Sequence, residues 1–393
     1  MKLASEGLFY CIFATSTITK RNMNFKNILI GITLSLSTIS CIQDEALNVE
    51  AAIDGCSGAN IQLININEIS REIEIFVFEG SNIAAQELNF TLPDGATISP
   101  DQSQSKDNPP YYDFSTEKER TFTVTSEDGS NKATYTVNLY TIELPLKYSF
   151  ENLREINPYH VLYLTDVNGI MQWASGNQGY NLCGMATNAI QYPTSQADGG
   201  VEGKCVKLVT QSTGTFGMNT NPKMPIAAGN LFIGSFNMTY AIIAPRQATQ
   251  FGFPFTRKPL KMSGYYKYKP GATLTDQNGN VISGKTDTGD IYAVLYEAPN
   301  SDFSLDGDLF TEGNEKAKNI VSMARIDKTE ATDQWTRFDL DFKLQNGKTI
   351  NEDNLKAGKY KLAIVFSSSI QGAYFEGAIG SELCIDEVEI TCE

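Results

Sequence analysis

Three carboxylates of this 393-residue chain stand close to aromatic residues in the sequence: Asp290, Glu297 and Glu376. Glycoside hydrolysis needs two carboxyl groups on facing walls of a cleft, about 5.5 Å apart for retention and roughly 6.5–9.5 Å for inversion. No short pattern pairs these acids, so Glu297 and Glu376 stand as candidate catalytic groups, with Asp290 behind them. Binding a sugar asks for less: an aromatic face for the ring's C–H groups and planar hydrogen-bonding groups for its hydroxyls. Trp173 with Asn177, and Phe255 with Arg257 beside Pro254, each combine the two. Tyr266 and Tyr268 share a strand face, Tyr296 ends an alternating run, and Tyr374 sits in a glycine-rich loop. A single aromatic is more often core than contact, but the glycine-rich surroundings favour contact for Trp173, Arg257 and Tyr374. Tyr265, on the other strand face, is expected in the core. Trp335, ahead of Phe338, Leu340 and Phe342, is assigned to packing.

Other chemistries are excluded or left without support. His160 is the only histidine, which removes multi-histidine metal sites and argues against a Ser-His-Asp hydrolase. Past Cys41 there are five cysteines, Cys56, Cys183, Cys205, Cys384 and Cys392, an odd number with no C-x-x-C pair. Bridges Cys183–Cys205 or Cys384–Cys392 are conceivable, and buried free thiols are the preferred state. The acidic stretch Asp302–Asp308 (DFSLDGD) lacks the terminal Glu of an EF-hand loop and is read as a solvated insertion. Without residues 1–40, which hold four basic residues and one acidic one, 27 basic and 45 acidic residues remain, a net charge of −18. So acidic a chain argues against nucleic acid and anionic membrane surfaces and favours a neutral glycan or oligosaccharide as partner. None of these readings requires a cofactor, and none speaks to the oligomeric state.

The elements that must position these residues are strands. Short alternating runs divided by Gly, Asn, Asp and Pro recur, 18 Tyr and 21 Phe are present, and no long helical period stands out, so the chain is read as all-β. Ala59–Asn67, Glu72–Phe78, Glu87–Leu92, Thr121–Thr125 and Thr134–Tyr140 suit an immunoglobulin-like β-sandwich spanning 48–143, with no acid pair or aromatic cluster to mark a site. Pro145 separates it from a larger unit, 146–393. That unit closes with Tyr360–Phe366, a loop holding Gly372, Gly377 and Gly380, and a last strand, Leu383–Ile390. Loops gathered at one end of such a sandwich would form the binding rim.

The N-terminal forty residues are processing signal rather than fold. Met23 opens a polar head with Lys26 and an apolar run, Ile28–Leu36, too short to span a bilayer. Residues 1–40 are thus a signal peptide with its true start at Met23, and 41–47 a tether. Thr38-Ile39-Ser40-Cys41 resembles a bacterial lipoprotein cleavage box, and the following Ile-Gln-Asp-Glu is similar to the tag that sends Bacteroidetes lipoproteins to the outer leaflet. The resemblance implies lipidation of Cys41, an outer-membrane location, and membrane contact only through that lipid.

Tyr148–Asn152 and Leu383–Ile390 look like the first and last strands of β-jelly-roll carbohydrate-binding modules. That likeness implies a structural calcium shared by Glu151 and Asp386, hydrogen-bonded carboxylates being the alternative. A closer resemblance follows from Met171–Gly179, Ile226–Gly234, Phe251–Pro259, Ser263–Tyr268 and Ser368–Ser381, which occur in the order seen in the Bacteroidetes "putative carbohydrate metabolism domain" family. It covers 146–393 and implies an N-terminal immunoglobulin-like β-sandwich followed by a larger β-jelly-roll sandwich, on the cell surface and engaged with glycans. The expectation is a surface lipoprotein that binds carbohydrate through a pocket on the C-terminal sandwich. A glycoside hydrolase with a carboxylate pair in that pocket is the first alternative, and a structural adhesin the second.

Overall fold

The computed structural model describes residues 47–393, apart from 68–69, 79, 102–106, 157, 165–170 and 301–302. The signal peptide, Cys41 and nearly all of the tether lie outside the described residues. Strands dominate, as alternation requires, and among the described residues those of 55–142 pair only with one another, as do those of 147–392.

The N-terminal group is built on a five-stranded sheet in the order Ile61–Asn67, Glu72–Phe78, Lys132–Ile142, Glu119–Thr125, Thr97–Pro100, with Glu72–Phe78 and Lys132–Ile142 parallel. Its alternating apolar side chains, among them Ile73, Ile75, Phe122, Val124, Val137 and Leu139, close a core with Tyr112 and Phe114. Arg120 is fully buried at the edge of that core, held by Asp101 at 2.6 Å and Asp107 at 2.7 Å.

The C-terminal group is a sandwich of two antiparallel sheets. One runs Thr194–Asp198, Lys204–Val209, Glu382–Cys392, Pro259–Lys269, Thr332–Asp341, with Lys147–Tyr148 pairing beside Glu382–Cys392. The other runs Asn230–Phe232, Tyr360–Ser367, Asp290–Glu297, Ile320–Arg325, Lys343–Leu344. Between them lies a core containing Met262, Phe338, Ile385 and Val388 from the first sheet and Ile291, Leu295, Leu362 and Phe366 from the second. The second sheet is buried on both faces. Tyr292, Val294, Tyr296, Ala363 and Val365 turn away from the sandwich into a second apolar cluster with Phe232, Phe251, Leu305 and Leu309. Near-continuous burial is why Tyr360–Ser367 and Asp290–Glu297 read as almost unbroken apolar runs. Long insertions, 172–192, 213–226, 234–251 and 298–319, supply the cover, and they carry most of the short helices.

Register corrects one sequence reading. In Pro259–Lys269 the inward residues are Met262, Gly264, Tyr266 and Tyr268, whereas Tyr265 faces outward beneath the Arg337 guanidinium, 5.9 Å from its ring. Trp335 packs on that same outer face, under the Lys267 ammonium and donating to the Gly199 carbonyl at 3.1 Å, while Phe338 is core and Leu340 and Phe342 pack against it. The five cysteines from Cys56 onward are all free thiols, and His160 is buried with its Nδ1 accepting from the Gln196 N–H.

Candidate functional site

Most residues expected at a sugar site are structural. Trp173 is 4% exposed, packed among Tyr148, Phe150 and Phe366 with centroids 5.1–6.0 Å apart. Asn177 is fully buried and clamps the Thr194 backbone, donating to its carbonyl at 2.8 Å and accepting from its N–H at 3.1 Å. Phe255, Tyr266 and Tyr268 lie in the sandwich core, and Tyr296 is sealed on the opposite face of its sheet, its hydroxyl donating to the Phe251 carbonyl at 2.6 Å. Arg257 is exposed and forks onto Glu143 at 2.9 and 2.7 Å, tying strand-end residues of the two sandwiches together. These seven residues therefore do not assemble a site, because alternation places an aromatic on a strand face without saying whether that face meets solvent. Of the acids, Glu297 is held by Lys348, and neither it nor Glu376 lines the cavity described below. Tyr374 does line it.

Glu151 and Asp386 come to one turn, but as acceptors for backbone. Glu151 Oε1 accepts from the Lys204 N–H at 2.6 Å, and Asp386 Oδ2 accepts from Val201 at 2.6 Å and Glu202 at 3.4 Å. An added Cβ at Gly203 would sit 2.4 Å from the Glu151 carboxyl, so the turn requires glycine there. N–H groups aimed at these oxygens fit hydrogen-bonded carboxylates rather than an ion's ligands, and no group of three His, Cys, Asp or Glu among the described residues could hold a metal.

The feature able to take a ligand is a cavity of about 180 Å³ against the outward face of the second sheet. Its floor is Asp290, Tyr292, Phe232, Val365 and Ser367, and the insertions form its walls. One group of lining residues is knit by mutual contacts. Asp290, 3% exposed, accepts from Arg325 Nε and Nη2 at 2.9 and 2.7 Å. The guanidinium lies 3.9 Å over the Phe310 ring, which meets Tyr292 edge-on at 5.3 Å. Asp306, also 3% exposed, accepts from Lys316 Nζ at 2.6 Å and from the Asp308 N–H at 3.0 Å. Arg246 pairs with Asp308 at 2.8 Å and lies 5.3 Å over Tyr374, whose hydroxyl bonds Thr311 at 2.7 Å. Within the described part of the Asp302–Asp308 stretch, Leu305 and Asp306 are buried and Asp306 and Gly307 line the cavity, so it is not a solvated insertion. The reason is the Lys316 ammonium ten residues on, which compensates the buried charge.

Tyr292 differs from the rest. It is 5% exposed and lines the cavity, yet its hydroxyl has no hydrogen-bond partner among the described residues. Burial keeps the phenol protonated, with the neighbouring Asp290 charge acting in the same direction, so the group is a neutral donor and acceptor beside the cavity. Burial also raises the Asp290 carboxyl above the ordinary aspartate value, with the Arg325 fork pulling the other way.

Family comparison bears on what such a cavity serves. Residues 149–391 match the family described as "Putative carbohydrate metabolism domain", and residues 57–139 match the one described as "SGBP, N-terminal". The chain belongs to the carbohydrate metabolism domain family. It is similar to a solved structure from Bacteroides thetaiotaomicron described as a putative glycoside hydrolase, with 43% identity over 89% of this chain and 99% of that one, TM-score 0.69. A second structure, from Bacteroides vulgatus and described in the same words, is 40% identical over 64% of this chain and 100% of its own, TM-score 0.59. Curated proteins gave no match. Within this family member, the sequence singles out Asp290 and the acidic stretch that holds Asp306, but Tyr292, Phe310, Arg325 and Arg246 carry no pattern that marks a site. They meet only because insertions fold back over a sheet that is apolar on both sides.

Proposed function

We propose that the cavity on the second sheet binds carbohydrate and that the protein captures glycans at the cell surface, held to the outer membrane by a lipid on Cys41. The observation that carries this reading is the unpartnered Tyr292 hydroxyl inside a cavity walled by Phe310 and Tyr374. With no hydrogen bond to the protein, that hydroxyl is open to whatever enters the cavity, and a sugar hydroxyl both donates and accepts. The aromatic rings beside it offer faces for sugar C–H groups, and the ion-paired Asp290 and Asp306 are fixed acceptors for further hydroxyls. The family's tie to carbohydrate metabolism and the N-terminal match support the same reading and a surface location. No helix among the described residues is long and apolar enough to cross a membrane. On this reading 48–143 is a spacer and 146–393 the binding head.

Calorimetry against plant, host and microbial glycans tests the proposal. A ligand should emerge whose affinity falls about five- to tenfold in Tyr292→Phe, the worth of one hydrogen bond, with the melting temperature unchanged. No ligand in the panel, or a ligand indifferent to Tyr292→Phe, counts against it.

A hydrolase is the second reading, favoured by Asp290 and Asp306 lining one cavity and by the descriptions of the two similar structures. Against it, each of these carboxylates is already engaged by a cation, Asp290 through both oxygens. It predicts release of reducing ends from a bound glycan, abolished by Asp306→Asn. The adhesin alternative expected an exposed edge strand and no pocket, and the cavity disfavours it.

A further inference from the structure

The cavity's hydrogen-bonding capacity is unevenly distributed. Around Tyr292 polar side chains converge, but the walls supplied by residues 180–183, 216–228 and 236–242 are Leu182, Phe216, Met224, Ile226, Phe236 and Ile242. Polar side chains are few beside them, and those of Tyr180, Thr213 and Asn230 each spend a group on the protein's own backbone, the Asn230 amide nitrogen remaining open. Tyr180 donates to the Ser212 carbonyl at 3.1 Å, Thr213 donates to the Met224 carbonyl, and the Asn230 carbonyl oxygen accepts from the Gly176 N–H at 2.7 Å. A bare sugar placed against these walls would lose water from hydroxyls to which Leu182, Phe216, Met224, Ile226, Phe236 and Ile242 offer no replacement partner. Leu182, Phe216 and Ile242 are nonetheless 36–43% exposed, with Met185 and the neighbouring Ile243 still more so. Isolated exposed apolar residues are ordinary, whereas several at the mouth of one cavity mark a surface that awaits an apolar partner.

Resting on the glycan reading, we propose that the ligand is a substituted glycan, a sugar carrying a small aryl or acyl group, with the sugar at Tyr292 and the substituent against Leu182, Phe216 and Ile242. Size sets the class. A dry apolar cavity of about 150 Å³ takes up benzene, so the whole space of about 180 Å³, shared with the edge of the sugar at Tyr292, leaves room for no more than one ring or short acyl chain and excludes a full lipid tail. Burying such a group against aliphatic walls contributes about 25 cal/mol per Å², so roughly 80 Å² is worth more than tenfold in affinity.

The test uses the intact protein and paired phenyl, acetyl and methyl derivatives of the same sugars, glucose, galactose, xylose and N-acetylglucosamine, with phenol and acetate as sugar-free probes. Phenyl or acetyl forms should bind at least tenfold more tightly than methyl forms. Ile242→Asn, at an exposed site, should lower the affinity for phenyl and acetyl forms at least tenfold, well beyond any change for the methyl forms, with the melting temperature as it was. Equal affinity for substituted and methyl forms, or indifference to Ile242→Asn, overturns the inference and leaves glycan binding standing. Phenol binding as tightly as a phenyl glycoside, with Tyr292→Phe silent, overturns the sugar reading and leaves an apolar seat. No binding by any probe overturns both.

Discussion

Asp290 and Arg325 lie on neighbouring strands and meet through both carboxylate oxygens, at 2.9 and 2.7 Å, at the floor of the cavity. The carboxylate is 4% exposed by its side chain and the guanidinium 28%, so the pair is largely shielded from solvent. Arg325→Met would leave the charge on Asp290 buried and alone. A loss of about 3–5 kcal/mol is expected, far above that of a surface pair. Adding Asp290→Asn should restore most of it, because the orphaned charge is then gone. Urea denaturation of the two variants checks this, and equal stability of Arg325→Met and wild type would count against it.

Trp173 and Tyr292 should behave as opposites. Trp173→Ala removes a large ring from between Tyr148, Phe150 and Phe366 and should cost about 3–5 kcal/mol, seen as a lower melting temperature. The folded fraction should keep its glycan affinity, since Trp173 is not a cavity residue. Tyr292→Phe should do the reverse.

That contrast shows what was legible in the sequence. Alternation located nearly every long strand, and Tyr360–Phe366 and Leu383–Ile390 match their elements to within a few residues. What alternation cannot say is whether a face meets solvent, a partner sheet or an insertion. Tyr266 and Tyr268 were assigned outward although they fill the core, and Tyr296 was assigned to a ligand although an insertion covers it. The cavity itself draws on residues from 176 to 375 in segments with no period. Tyr374 was found because glycines frame it in sequence. Asp306 was read as solvated because its compensating Lys316 lies across an insertion whose path no local pattern describes.

Arg257 offers a check on a weaker interaction. Its fork onto Glu143 is well aligned, but side-chain exposures of 43% and 31% leave the pair screened by water. Arg257→Ala should therefore cost no more than about 1 kcal/mol. Glycan affinity should be unchanged, because the pair lies outside the cavity lining. A destabilisation of several kcal/mol would mean that the contact between the two sandwiches is cooperative with the fold of each.

Asp386 makes the stability of the C-terminal sandwich depend on pH. Its side chain is fully buried, and desolvation pushes the carboxyl up to about 6 against the pull of the Val201, Glu202 and Glu387 N–H groups. A carboxyl whose folded pKa lies above its unfolded value of about 3.9 favours the fold when protonated. Its contribution is thus fully present below about pH 4 and is lost as pH rises through about 6. Glu387, raised by burial and by the charges of Glu202 and Glu151, acts in the same direction, while Lys147 opposes it. The loss attributable to Asp386 is about 2 kcal/mol, solvent at the exposed Glu151 screening part of it. Asp386→Asn keeps a carbonyl oxygen to accept from the Val201 N–H but cannot ionise. The difference in stability between variant and wild type should therefore shift by about 2 kcal/mol in favour of the variant between pH 4 and pH 7. Denaturant unfolding at half-unit steps across that range measures the shift. Parallel curves would show that the three N–H donors hold Asp386 ionised throughout.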